Sequence, residues 1–284
     1  MTVLEAIQKS TDFLAKRGVE SPRLQTELLL AHLLKMPRMK LYLNFDRALS
    51  DAETNTLREL IKRRSQREPL QHITGSVSFC GFEIIVNRNA LVPRPETEIL
   101  AESGWQYLST LDSPTALDLG TGTGCIAIAL AAKNPKAKIT AIDISPDALT
   151  LAKDNAVKNN VAERITFIQS DGFTALPQDA QFDLIISNPP YIPTTEIETL
   201  QPEVKDFDPR NALDGGTDGL DFYRMLAIRA KTFLKSGGKI MLEFGDGQAL
   251  AIHGIFENEK WIVEAVKDDY SQRARILISS WKVS

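Results

Sequence analysis

The chain has 284 residues, 43% of them hydrophobic and 25% charged, which is the make-up of a globular protein with room for one large domain and a small one. A formal net charge of -4 leaves no global basic field, so long polyanions such as DNA or RNA are not expected as direct partners. No stretch approaches the roughly 18 consecutive apolar residues of a membrane span, so no membrane association is expected.

The start Met1-Thr2-Val3-Leu4-Glu5 lacks the basic and apolar pattern of a secretory leader, and Cys80 and Cys125, the only cysteines, stand far apart as free thiols do in a reducing compartment. A cytoplasmic monomer is expected. Residues 1–72 read as a helical unit. Thr2-x-x-Glu5 and Ser50-x-x-Glu53 match capping boxes, and Ser21-Pro22 reads as a cap followed by a first-turn proline. Leu4, Ile7 and Leu14, then Leu24, Leu28 and Leu29, then Leu57, Leu60 and Ile61 give each helix one apolar stripe. A bundle of about 70 residues is marginal by itself and is expected to lean on a neighbour or a partner. Arg63, Arg64 and Arg67 near its end read as a solvated helix end or, alternatively, as a surface for an acidic partner.

Over residues 73–92 the apolar period changes to two around Gly81, with Val77 and Phe79 before it and Phe82, Ile84 and Val86 after it; this predicts a β-hairpin linker. His72, His32 and His253 have no second ligand at metal spacing, so no metal site is expected. Pro93-Arg94-Pro95-Glu96-Thr97-Glu98 then opens a helix through about residue 111. The flanking prolines fix the Arg94 backbone, either beside a ligand or acidic group or as a plain linker.

Residues 93–284 form the large domain. Strand and helix signals alternate from Thr115, through strands at Lys138–Asp143, Ile165–Ser170 and Phe182–Ser187, a long helix over 219–234, a strand at Lys239–Phe244, and a closing pair near 261–266 and 274–280. This is a βαβ series, and the expected fold class is α/β: a doubly wound, Rossmann-like sheet with a small N-terminal helical bundle and a hairpin linker.

Chemistry collects at the strand ends. Asp118-Leu119-Gly120-Thr121-Gly122-Thr123-Gly124 follows the first strand, and Asp143 ends the next strand at the spacing of an acid that accepts both ribose hydroxyls. A dinucleotide fingerprint needs a third glycine where Cys125 stands. Asp118 would repel a diphosphate and attract a cationic amino-acid head, which favours S-adenosyl-L-methionine over NAD. Asp171-Gly172-Phe173, at the third strand end, can meet adenine, with Asp171 accepting from its amine and Phe173 against its face. Any one of these acids is also what a surface turn carries. At the fourth strand end stands Asn188-Pro189-Pro190-Tyr191, a turn rich in acceptors and poor in donors. It suits a planar NH2 group, held by the Asn188 side-chain oxygen and the Pro189 carbonyl, with Tyr191 as a cover.

Together with Glu68-Pro69-Leu70-Gln71-His72-Ile73-Thr74-Gly75, the Pro93-Arg94-Pro95 block and Ala212-Leu213-Asp214-Gly215-Gly216 with Gly219-Leu220, these residues resemble the release factor glutamine methyltransferases, a family of class I S-adenosylmethionine-dependent enzymes. The resemblance runs essentially end to end. It implies N5-methylation of the glutamine in the Gly-Gly-Gln loop of class I peptide chain release factors, and so an effect on translation termination. It implies that Gly120, Thr121, Gly122, Thr123, Gly124, Asp143, Asp171, Gly172, Phe173 and Asn188 hold the cofactor. Asn188, Pro189, Pro190 and Tyr191 would act on the substrate amide, with Arg94 at the substrate site and residues 1–72 docking the factor. Two positions depart from the family pattern: Glu96 stands where Asp is frequent, and Gly172 where Trp occurs. An adenine N6-methyltransferase, a ribosomal-protein glutamine methyltransferase and a non-catalytic nucleoside-binding module are the competing readings.

Overall fold

The computed structural model describes residues 1–281. Val3–Ala15 (α1), Pro22–Leu33 (α2), Arg38–Leu41 (α3), Asp51–Ser65 (α4) and Leu70–Thr74 (α5) precede a hairpin of Ser76–Phe79 (β1) and Phe82–Ile85 (β2). After Pro95–Leu108 (α6) come Thr115–Leu119 (β3), Cys125–Lys133 (α7), Lys138–Asp143 (β4), Pro146–Lys158 (α8), Ile165–Gln169 (β5) and Phe182–Ser187 (β6). Pro202–Lys205 (α9), Asp221–Arg229 (α10), Leu234–Glu243 (β7), Ala249–Asn258 (α11), Ile262–Asp268 (β8) and Ala274–Ser280 (β9) follow. The chain divides into two compact units, residues 1–76 with 201–207, and residues 77–200 with 208 onward.

In the first unit both capping boxes close, with the Thr2 and Ser50 hydroxyls accepting from the Glu5 and Glu53 amides at 3.2 Å. Ser21 precedes Pro22 as expected, but it lies at φ 47° and its hydroxyl caps nothing. Ile7, Leu14, Leu29, Leu30, Leu57 and Ile61 meet in the core. The α2 stripe departs from its apolar pattern: Leu24 is exposed, whereas Glu27 is 2% exposed. Its carboxylate accepts from Arg23 Nε at 3.0 Å, Arg38 Nη1 at 3.2 Å and the Tyr42 hydroxyl at 2.9 Å. Burial of a carboxylate is tolerated only with such partners.

For Arg64 and Arg67, in and just after α4, the structure replaces the solvated helix end with ion pairs inside the chain. Arg64 is buried, and its Nη2 meets Glu203 at 2.7 Å while its Nε meets Gln25 at 2.7 Å. Arg67 Nε reaches the same Glu203 carboxylate at 2.7 Å, and Arg63 pairs with Glu68. These side chains clamp residues 201–207 onto the helical unit, far in sequence from the bundle they complete.

The second unit is a seven-stranded sheet in the order β5-β4-β3-β6-β7-β9-β8. The first five strands pair parallel, and β9 is antiparallel to both β7 and β8. One face packs Leu184, Ile186 and Ile139 against Leu100 of α6, Ile128 of α7 and Phe79 and Ile84 of the hairpin. The other packs Leu117, Ile185, Ile240 and Leu242 against Tyr223 of α10 and Phe256 of α11. Such two-sided burial is what near-continuous apolar strands require. The expected single helix over 219–234 is instead α10 followed by a 3-10 turn, Ala230–Phe233, and β7 begins earlier than predicted, at Leu234. A register shift between the Phe182 and Leu184 pairings lets the glycines at 237 and 238 stay within the strand, which periodicity alone reads as a break.

The hairpin turns through Cys80 and Gly81 at φ 52° and 85°, the positive pair that a tight right-twisted turn needs. It is more than a linker, because Asn155, fully buried in α8, grips it. Asn155 Oδ1 accepts from the Ile85 amide at 2.7 Å, and its Nδ2 donates to the Ile85 carbonyl at 2.9 Å and the Thr123 carbonyl at 3.0 Å. The hairpin and the glycine loop are thereby tied to one side chain. We expect Asn155→Ala, which strands these backbone groups in the interior, to cost about 2–4 kcal/mol in urea unfolding; a loss below about 0.5 kcal/mol would discount the tie.

Candidate active site

Parallel register sets the site. Asp118 on β3 lies opposite Ala141 of β4 and Ile186 of β6, so the residues that follow each strand emerge at one edge. The strand order reverses at β3, where open α/β sheets bind ligands. A cavity of about 1040 Å3, its open mouth included, lies there. The glycine loop from Gly120 to Thr123, Asp143, Asp171, Gly172, Asn188, Pro189, Pro190 and Arg94 all line it.

Asp118 acts behind this wall. It is fully buried, and its Oδ2 accepts the Thr121 hydroxyl at 2.6 Å and the Ala127 amide at 3.1 Å, which fixes the loop to the start of α7. Burial pushes its carboxyl up to about 7. Its expected contact with a cationic ligand is thus replaced by support of the loop that carries the contact. Asp143 is half-buried, and its two oxygens accept from the Gly122 and Ser145 amides, each at 2.9 Å. These bonds orient the carboxylate and leave it further acceptor sites.

Arg94 Nη2 donates to Asp208 at 2.9 Å; Asp208 is buried, and burial raises its carboxyl above the usual range against the opposing pull of Arg94. Of the two readings of Arg94, the structure has it beside both an acid and the cavity. The Asn188 amide donates through Nδ2 to the Thr97 hydroxyl at 3.2 Å. Gly215 presses against the far side of this turn: a Cβ there would stand 2.8 Å from Tyr191 Cα and 2.9 Å from the Pro190 carbonyl oxygen. Gly215 and, against the Tyr191 carbonyl, Gly219 thus serve as a mould for the turn.

The sequence matches a family model described as PrmC N-terminal domain over residues 5–75 and one described as methyltransferase small domain over residues 98–201. The release factor glutamine methyltransferase of Geobacter sulfurreducens is 44% identical over 255 residues, covering 90% of this chain and 88% of that protein. The release factor glutamine methyltransferase of Moorella thermoacetica is 38% identical over 285 aligned positions, with 98% of each chain covered. The chain belongs to the release factor glutamine methyltransferase family. A methyltransferase from Pyrococcus furiosus has the same fold, with a TM-score of 0.52 and 22% identity over 72% of this chain and 90% of that one.

The cavity of this release factor glutamine methyltransferase family member suits S-adenosylmethionine by its donor set. Asp143 offers an acceptor for ribose hydroxyls, the Gly120 to Gly122 backbone a close approach, and Leu91, Ile144, Ala148 and Phe222 apolar walls. Three sequence expectations need correction. Gly124 does not line the cavity; it is buried at φ 81°, where a Cβ would stand 3.0 Å from Ala152 Cβ, so it lets the start of α7 pack closely on α8. Phe173 does not line the cavity; it is 3% exposed and stacks on Phe233 with centroids 4.9 Å apart, because an aromatic one residue beyond a strand-end turn points back into the core. Tyr191 is also outside the lining. It packs on the core beneath the turn, burial pushes its phenol up to about 12, and its carbonyl accepts Gln248 Nε2 at 2.9 Å.

Four features escape sequence reasoning: Thr97, Ile144, Phe222 and Glu243. Ile144, an apolar residue 52% exposed directly after an acidic strand end, and Glu243, a lone acid inside the apolar run Met241-Leu242-Glu243-Phe244, each carried a readable signal. Asp118 supplies a pH test. A carboxyl whose folded value lies above its unfolded one binds more protons when folded, so stability falls as pH rises between the two values and then levels. We expect stability in urea to drop from about pH 4 to about pH 7 and then level, and Asp118→Asn to remove about 2–4 kcal/mol of that drop. An unchanged slope in the variant would contradict the buried, protonated state.

Proposed function

We propose that this enzyme methylates the side-chain nitrogen of the glutamine in the Gly-Gly-Gln loop of class I peptide chain release factors, and thereby acts on translation termination. The observation that carries the reading is a single cavity lined at once by the glycine loop, Asp143 and the Asn188-Pro189-Pro190 turn. Family membership supports the choice of a glutamine amide over an adenine amine, and the net charge of -4 supports a protein over a nucleic-acid substrate.

Bound S-adenosylmethionine supplies a methyl group on a positively charged sulfur. Asp143, the glycine loop, Asp171 and Gly172 hold it. Asn188 and Pro189 supply the remaining chemistry. A carboxamide nitrogen is a poor nucleophile because its lone pair is shared with the carbonyl. The Asn188 side-chain oxygen and the Pro189 carbonyl accept its two N–H bonds, fix its direction of attack and draw it out of conjugation. As positive charge grows on the nitrogen, the same two oxygens are already oriented to stabilise it. The alkylated nitrogen then loses a proton readily, so no strong base is required before attack. Arg94, locked by Asp208 at the cavity wall, supports the substrate loop, and residues 1–72 dock the body of the factor.

Transfer of labelled methyl to unmethylated release factor, beside a factor with the loop glutamine replaced and a DNA control, tests the reading directly. Label is expected only on the unaltered factor; label on DNA or on the altered factor would overturn it. Asn188→Ala should lower kcat by about a hundredfold or more while the protein stays folded. Calorimetric titration should find S-adenosylmethionine bound at least about tenfold more weakly by Asp143→Ala, a loss of about 1.4 kcal/mol or more; equal affinity would remove Asp143 from the site. Whole factor should saturate the enzyme at lower concentration than a loop peptide, and equal KM values would count against docking by the helical unit.

A further inference from the structure

Glu243 is a buried acid that the mechanism above does not use. It ends β7, still paired with Ile276 of β9, and Ser187 of β6 is paired with Leu242, so the next residues, Asn188 and Glu243, lie side by side at the end of these strands. Glu243 is 2% exposed, and its backbone carbonyl accepts the buried Tyr223 hydroxyl at 2.8 Å. Its Oε2 is sealed from solvent with no partner at hydrogen-bond distance. Thr97, 3% exposed in the first turn of α6, and Asn188 both offer donors to this carboxyl. Thr97 Oγ1 in turn accepts Asn188 Nδ2 at 3.2 Å. A sealed, half-satisfied carboxylate in a core is costly, and these two neighbours give it one consistent arrangement: acceptor to Thr97 and to the Asn188 amide nitrogen.

We propose that Glu243, through Thr97, is a positioning residue that fixes which way the Asn188 side-chain amide faces, nitrogen inward and oxygen toward the cavity. An amide has two nearly isosteric orientations, and its neighbours choose between them. With the nitrogen inward, the site presents an acceptor and selects a substrate that donates, a carboxamide NH2. With the oxygen inward, the site would present a donor to a donor. The inference rests on the functional reading above and deepens it, since it names the group that makes the turn specific for NH2.

Ionisation matters because only the carboxylate is a pure acceptor; the protonated acid can donate to the Asn188 oxygen and favour the wrong orientation. Burial pushes the Glu243 carboxyl up to about 7. Glu96 of α6 adds to that rise, Arg275 of β9 and the Thr97 and Asn188 donors oppose it, and the phenols of Tyr191 and Tyr223 also face it.

The test is Glu243→Gln, which keeps shape and burial but supplies a donor that the Asn188 oxygen can take. At about pH 8 we expect kcat for label transfer to fall by about a hundredfold, the scale of one misplaced preorganised dipole, with the affinity for S-adenosylmethionine unchanged. Wild-type kcat should fall as pH drops through the Glu243 range, and that limb should be missing from the variant. Thr97→Ser, which keeps the hydroxyl, should retain near wild-type turnover, whereas Thr97→Val should resemble Glu243→Gln. A Glu243→Gln enzyme with wild-type kcat, or one whose loss is matched by equal losses of cofactor affinity and melting temperature, would overturn the proposal. Should the wild type label no release factor, the functional reading falls by itself. Orientation is then read from the 15N-labelled Asn188 side-chain amide, whose resonances should titrate with Glu243 in the wild type and stay constant in the variant. A wild-type signal that does not titrate would overturn the proposal.

Discussion

In-register parallel pairing of β3 with β4 and β6 is the constraint on which the site depends. Because Asp118 is level with both Ala141 and Ile186, the glycine loop, Asp143 and Asn188 are delivered to one edge at one height. A slip of one residue in β6 would rotate every side chain to the opposite face and withdraw Asn188 from the cavity. That slip is resisted from both sides, since Leu184 and Ile186 serve one core while Ile185 serves the other. The chemistry sits on loops, but its tolerance is set by the packing of a two-sided core.

The loops are held by buried polar side chains, each paired to backbone. Asp118 ties the glycine loop to α7, Asn155 ties that loop to the hairpin, and Gln248 holds the Tyr191 carbonyl. Inside a protein such bonds are stronger than in water, and an unmade one is correspondingly expensive. This is why a few side chains can immobilise turns that have no regular ladder of their own. The same economy explains Gly215 and Gly219, where backbone rather than side chain meets the turn.

The segment after the Asn-Pro-Pro-Tyr turn has a second attachment. Residues 201–207 belong to the helical unit, clamped through Glu203 by Arg64 and Arg67, and the chain returns at Asp208, which Arg94 holds at the cavity wall. One connection thus serves both compact units. Its ends are pinned by ion pairs with buried or half-buried partners, where charge pairs persist better than at an exposed surface.

Local pattern was enough for much of this protein. The capping boxes at Thr2 and Ser50, the alternation about Gly81, the buried strands, and the acids and glycines at their ends follow from short-range physics: periodicity, propensity and turn chemistry within a few residues. Tertiary structure decided everything that depends on what a side chain meets. Glu27 and Arg64 lie in the core because distant partners neutralise them, Phe173 and Tyr191 turn inward because the sheet offers them a core, and Asn155 grips the hairpin across a long stretch of sequence. Glu243 stands beside Asn188 only because two strands far apart in the chain lie next to each other in the sheet. Burial and pairing of charge are properties of the assembled interior, and no window along the chain contains them.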